Sequence, residues 1–182
     1  MPNQTLNGTA SATAATELQE LLLATEDIRG FLDELATLTV RVLPGEELSC
    51  GITLRGDREA ITVASSDARA SQVDEIQYGH HQGPCLHSLA TGEEVLVDDL
   101  AGDQRWGDYQ MPALAHGVRS SLSLPLHAQG QVIGALNTYA SQPRAFGPPE
   151  QLLAGRFDGA IALIDLRADT SVATMIAAAL GS

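Results

Sequence analysis

The spacing of the large apolar residues changes from a helical period to a period of two and back, and this limits the fold more than any other feature. Leu18, Leu21, Leu22, Ile28, Leu32, Leu35 and Val42 recur at close to 3.6 residues, which predicts an amphipathic helix ended by Pro44-Gly45. The period then becomes two. Leu48, Cys50, Ile52 and Leu54 alternate with small or polar residues, Gly56-Asp57 marks a turn, and Ile61 and Val63 alternate again. That is the pattern of an antiparallel hairpin.

Residues 67–78 read as a further helix, and Gly83-Pro84 opens a short one that Thr91-Gly92 ends. Val95 and Val97 form a short strand. Residues 98–118 are acidic and irregular, with one short helix running to His116. Leu122, Leu124 and Leu126 alternate in one strand, Val132 to Tyr139 form another, and residues 127–131 are a tight turn between them. Pro148-Pro149 precedes a last helix with Leu153, Phe157, Ala160, Ile161 and Ile164 in register. Helices before, between and after five or six strands exclude a sandwich. They predict an α/β (α+β) domain with a central antiparallel sheet of five or six strands. The terminal helices would lie on one face and the crossover helices on the other.

Residues 1–16 read as a flexible tail, 17–167 as the folded domain and 168–182 as a short helix or arm. Ten Lys plus Arg against 23 Asp plus Glu leave a net charge of -13. Phosphate backbones and anionic lipid surfaces need clustered cations, so direct nucleic-acid or membrane binding is not expected. Two cysteines make no disulfide framework. No apolar run reaches the length of a membrane helix, and no charged-then-apolar leader opens the chain, so a cytoplasmic location is expected.

Five stretches, in order, resemble GAF domains of the kind found in actinobacterial GAF-ANTAR regulators. They are Tyr78-Gly-His-His-Gln-Gly-Pro-Cys-Leu-His-Ser-Leu-Ala-Thr-Gly92, Val97-Asp-Asp-Leu100 with Arg105-Trp106, Gly117 to Leu126, Val132 to Tyr139, and Ala145-Phe-Gly147. The resemblance covers roughly residues 26–166. It implies a GAF/PAS-like fold, dimerisation through the first and last helices, and signalling to an output module. Only about fifteen residues follow Arg167, so a complete ANTAR module is not expected within this sequence.

The ligand-site candidates are Tyr78, Cys85, Trp106, Tyr109, Arg119, Ser121, Ser123, Asn137 and Tyr139. Trp106 and Tyr109 offer flat faces with polar edges. Ser121 and Ser123 alternate away from Leu122 and Leu124, and Asn137 is a polar residue in an apolar strand that needs a partner. Arg119 could meet a ligand carboxylate or a loop acid. Cys85 follows a helix start, where unpaired N–H groups lower a thiol pKa, or it packs as a small apolar group. His80, His81, Cys85 and His87 do not match a zinc spacing, and the loop acids lack calcium-loop spacing, so no metal is expected. No cofactor is assigned.

The expected function is a signal-transduction sensor, homodimeric and possessing a small-ligand or partner site, acting in transcription (antitermination) control and not as an enzyme. Two alternatives stay open. One is a GAF-fold thiol redox enzyme resembling the methionine sulfoxide reductases of that fold, which work through several cysteines. The other is a dimeric protein-interaction module.

Overall fold

The computed structural model describes residues 28–147, apart from 44, 57 and 129. The elements run α1 (Ile28–Val42), β1 (Leu48–Arg55), β2 (Ala60–Ser65), α2 (Ala68–His80), α3 (Pro84–Thr91) and β3 (Val95–Val97). Two 3₁₀ segments follow, Leu100–Gly102 and Gln104–Tyr109. Then come α4 (Gln110–Ala115), β4 (Ser120–Ala128) and β5 (Gln131–Ala140). The flexible tail, the lead-in helix from Glu17, the last helix and the 168–182 arm lie outside the described residues.

The strands form one five-stranded sheet in the order β2-β1-β5-β4-β3, and every neighbouring pair is antiparallel. The architecture is the GAF/PAS-like α+β arrangement expected from the alternation of periods. Where the sequence suggested one short helix over 98–118, the chain makes two 3₁₀ turns and α4. Asp99 and Asp103 each cap one of those turns by accepting a backbone N–H.

The two faces of the sheet differ in chemistry. Cys50, Ile52, Leu122, Leu124, Leu126 and Leu136 project to one side and pack against Leu32, Leu35, Ala36 and Leu38 of α1. This is the apolar core. The outward side of α1 carries exposed Asp33, Glu34, Thr37 and Arg41. The other face of the sheet is covered by α2, α3 and the 3₁₀ segments, and it is largely polar. Among the described residues no helix is long and apolar enough to cross a membrane.

Candidate functional site

Strand register places the polar residues of the second face side by side. Thr53 of β1 pairs with Thr62 of β2, Ser123 of β4 with Asn137 of β5, and Ser121 with Tyr139. Thr53, Ser121, Ser123, Asn137 and Tyr139 are all buried. Against them α2 lays Ala70, Val73, Asp74 and Gln77, a helical stripe at i, i+3, i+4 and i+7 that is half polar. The helix starts at Asp67, whose carboxylate accepts from the Ala70 N–H at 2.9 Å and from the Ser49 hydroxyl at 2.7 Å.

Two glycines make this close polar packing possible. A Cβ at Gly51 would stand 2.4 Å from Asp74 Oδ2, so only glycine lets the carboxylate lie against β1. Gly83 has φ of 149°, and a Cβ there would stand 2.2 Å from Gln77 Oε1. The Gln77 amide fills that space. Its Oε1 accepts from the Cys85 N–H at 2.8 Å, in the role of a cap for α3, and its Nε2 donates to Tyr139 Oη at 2.9 Å.

The remaining bonds tie the layer into one network. The Tyr139 hydroxyl donates to Asp74 Oδ1. Asn137 Nδ2 lies 3.2 Å from Asp74 Oδ1, 3.1 Å from Thr53 Oγ1 and 3.1 Å from Cys85 Sγ. Thr62 Oγ1 donates to Asp74 Oδ2 at 2.9 Å. Tyr78 Oη bridges Thr53 Oγ1 at 2.7 Å and Thr62 Oγ1 at 2.8 Å, and the Cys85 thiol reaches Thr53 Oγ1 at 3.5 Å.

Burial sets the protonation of this layer. Asp74 makes no ion pair among the described residues, and loss of solvent pushes its carboxyl up to about 7 despite the donors Tyr139, Thr62 and Asn137. Burial first, and the Asp74 charge second, push the Cys85 thiol up to about 12. The phenols of Tyr78, Tyr109 and Tyr139 rise for the same two reasons. The helix start beside Cys85 therefore does not make it acidic, because desolvation outweighs the N–H groups and Gln77 already occupies the Cys85 N–H.

Of the nine candidates, Tyr78, Cys85, Asn137 and Tyr139 are joined in the network. Ser121 and Ser123 line the same face. Tyr109 is fully buried in an apolar cluster with Val73, Val95 and Tyr139. Trp106 lies in that cluster too, edge-on to His87 at 5.9 Å and under the Arg105 guanidinium at 4.9 Å. Its indole N–H is buried without a protein hydrogen-bond partner among the described residues, and the carboxyl of Asp103, on the same loop, is held low by Arg105 first. Arg119 is outside the layer and forks onto the Asp99 carboxylate at 3.0 and 2.9 Å. Cys50 faces α1, so the sheet separates it from Cys85.

The sequence reading missed Asp74, Gln77, Thr53 and Thr62. For Asp74 and Gln77 the signal was the helical stripe in α2, which hydrophobicity alone does not reveal; for Thr53 and Thr62 it was their alternation with the apolar residues of β1 and β2. Six buried side-chain polar atoms bond to no protein atom among the described residues: Ser88 Oγ, Trp106 Nε1, Tyr109 Oη, Ser123 Oγ, Asn137 Oδ1 and Thr138 Oγ1. Thr138 pairs with Cys50 and Leu122 on the α1 face, so the other five stand on the side of the sheet that carries this layer. Among the described residues no group of three or more His, Cys, Asp and Glu gathers to hold a metal ion.

The fold is shared with solved structures of two functional kinds. The GAF domain of an Acinetobacter phosphoenolpyruvate-protein phosphotransferase superposes with a TM-score of 0.66 at 14% identity, covering 92% of this chain and 96% of that one. The corresponding domain from Coxiella burnetii gives 0.67 at 16%, covering 85% and 92%. A free methionine-R-sulfoxide reductase from Neisseria meningitidis, solved with its substrate, gives 0.65 at 16%, covering 84% and 88%. No curated protein sequence matches the chain.

The reductases overturn the expectation that the chain is not an enzyme. They match as well as the phosphotransferase domains do, and one scaffold supports both binding and redox chemistry, so fold and composition do not exclude catalysis. No match bears on an ANTAR module. The sequence model described as "GAF domain" matches residues 25–163, most of the chain, and the chain belongs to the GAF domain family.

Proposed function

We propose that this GAF domain is a signal-transduction sensor whose polar layer, between the sheet and α2–α3, receives a small polar ligand. The observation that carries the reading is the hydrogen-bonding capacity the protein leaves unused there. Ser88 Oγ, Trp106 Nε1, Tyr109 Oη, Ser123 Oγ and Asn137 Oδ1 are buried on four elements on that side of the sheet, without protein partners among the described residues. Buried polar groups are normally satisfied, and pockets orient ligands with a few such groups. Ligand arrival would move α2 and α3 against the sheet, and the terminal helices would carry the change to a cytoplasmic output, with transcription control of the ANTAR kind as its finest form. The homodimer contact of this reading runs through the first and last helices.

Native mass spectrometry of the purified protein tests this directly, since it reports subunit number and any bound small molecule together. A dimer carrying a molecule that Asn137→Ala loses is the expected result. A bare monomer, with no compound from a metabolite panel raising the unfolding temperature, sinks the reading.

A second reading has one observation in its favour: Cys85 is the thiol that faces the polar layer, 3.1 Å from Asn137 Nδ2. In this reading the layer performs thiol chemistry. Turnover of a sulfoxide or peroxide substrate that Cys85→Ser abolishes would establish it.

A further inference from the structure

A groove of about 620 Å³ opens at the end of the β1–β2 hairpin, between the hairpin and the facing ends of α2 and α3. Its lining joins three kinds of surface. Arg55 and Arg58 come from the hairpin, Glu75 from α2, and Leu86 and Leu89 with the Tyr78 ring supply an apolar part. Glu59 and His81 also line it. Arg55 donates to the Leu89 carbonyl, which fixes its guanidinium beside the C-terminal turn of α3. Arg58 and Glu75 are exposed and make no hydrogen bond or ion pair to another described residue, and Glu75 acts on Asp74 only through its charge.

Charge decides what such a groove can hold. The chain carries ten Lys and Arg in all, so two arginines in one groove stand out against a net charge of -13. A simple anion would meet Glu59 and Glu75, and a simple cation would meet Arg55 and Arg58. A molecule bearing both signs satisfies both walls, and the volume is that of a small-molecule site. We propose that this groove binds a small dipolar molecule, with a carboxylate held by Arg55 and Arg58, an ammonium held by Glu75, and a short apolar group on Leu86, Leu89 and Tyr78. The site is separate from the inner polar layer. The two share only Tyr78, whose ring lines the groove while its hydroxyl turns inward to Thr53 and Thr62.

The test is NMR titration of the full chain with three probes of similar shape: leucine, 4-methylpentanoate and 3-methylbutylamine. Leucine should shift the amides of residues 55–60, 75–81 and 86–89. Each single-charge probe should bind about tenfold or more weakly, as expected for loss of one charge-assisted contact. Arg58→Glu and Glu75→Lys should each weaken leucine by a similar factor, and neither disturbs a contact within the fold. Arg58→Glu should also raise the affinity for the amine. Shifts absent with all three probes at millimolar concentration would overturn the proposal. So would 4-methylpentanoate binding as tightly as leucine, which would mark a plain anion site. Failure of the inner-layer reading leaves the Arg58→Glu outcome unchanged, because Arg58 bonds to no residue of that layer; Glu75 acts on Asp74 through its charge, so Glu75→Lys is judged only together with Arg58→Glu.

Discussion

Thr62 Oγ1 lies 2.9 Å from Asp74 Oδ2 and 2.8 Å from Tyr78 Oη, and its single proton cannot serve both. With Asp74 ionised, the proton goes to the carboxylate, so Thr62 accepts from Tyr78. Tyr78 then accepts from Thr53, and Thr53 accepts from Asn137 Nδ2 and the Cys85 thiol. Every hydrogen bond in the chain points toward one buried carboxylate. A proton on Asp74 Oδ2 would make that oxygen a donor and force the Thr62 hydroxyl to turn.

Stability should therefore depend on the charge of Asp74. Its carboxyl titrates near 7 in the fold against 3.8 for an ordinary aspartate, the value expected of the unfolded chain. Below pH 4 both states hold the proton and the contribution is fully present. As pH rises from 4 to 7 the unfolded chain releases the proton while the fold keeps it, so stability is lost across that window and levels off above it. The loss is roughly 4 kcal/mol by linkage. Urea unfolding of wild type and Asp74→Asn at intervals from pH 4 to 8 measures it. The variant should gain relative to wild type as pH rises, and parallel curves would contradict the assignment.

The bonds of Thr62 give a second prediction. Thr62→Val removes a donor to Asp74 and the acceptor for Tyr78, so the carboxyl should titrate still higher. The substitution should cost about 1–3 kcal/mol at neutral pH from the unpaired groups left behind. Thr62→Ser keeps the hydroxyl and should restore the wild-type titration. The carboxyl carbon resonance of Asp74, followed against pH, reads both shifts.

Sequence patterning reveals the frame of this molecule better than its site. The strands are legible because their apolar residues alternate, and α1 because Leu32, Leu35 and Leu38 form a stripe. Ser123 and Asn137 could be placed on the second face by the same alternation. Asp74 and Gln77 could not, because α2 buries a face that is half polar and looks like a solvated helix to any hydrophobicity count. Trp106 and Arg119 were drawn toward the ligand site by residue type. In the structure Trp106 packs with Tyr109 and Tyr139 under the Arg105 guanidinium, and Arg119 forks onto Asp99.

Neither thiol should react in the native protein. Cys50 and Cys85 are fully buried, and with Cys85 titrating at about 12 its thiolate fraction at pH 7 is about one in 10⁵. Labelling by a disulfide reagent should be negligible over minutes in buffer and complete in denaturant. Oxidant should not join Cys50 to Cys85, since the sheet lies between them. Rapid native labelling of Cys85 would instead favour the thiol-chemistry reading.

The Gly83–Gln77 contact yields the sharpest structural prediction. Gly83→Ala places a Cβ where Gln77 Oε1 now lies and imposes a left-handed backbone angle on alanine. Gln77 would have to leave, breaking its bonds to the Cys85 N–H and Tyr139 Oη and stranding both in a dry layer. The cost should be roughly 2–4 kcal/mol, from lost hydrogen bonds and backbone strain together. Adding Gln77→Ala removes the clash but not the strain, so the double variant should be less destabilised than the two single effects summed. A double-mutant cycle by urea unfolding measures that coupling, and strict additivity would show that Gln77 does not occupy the space that Gly83 leaves.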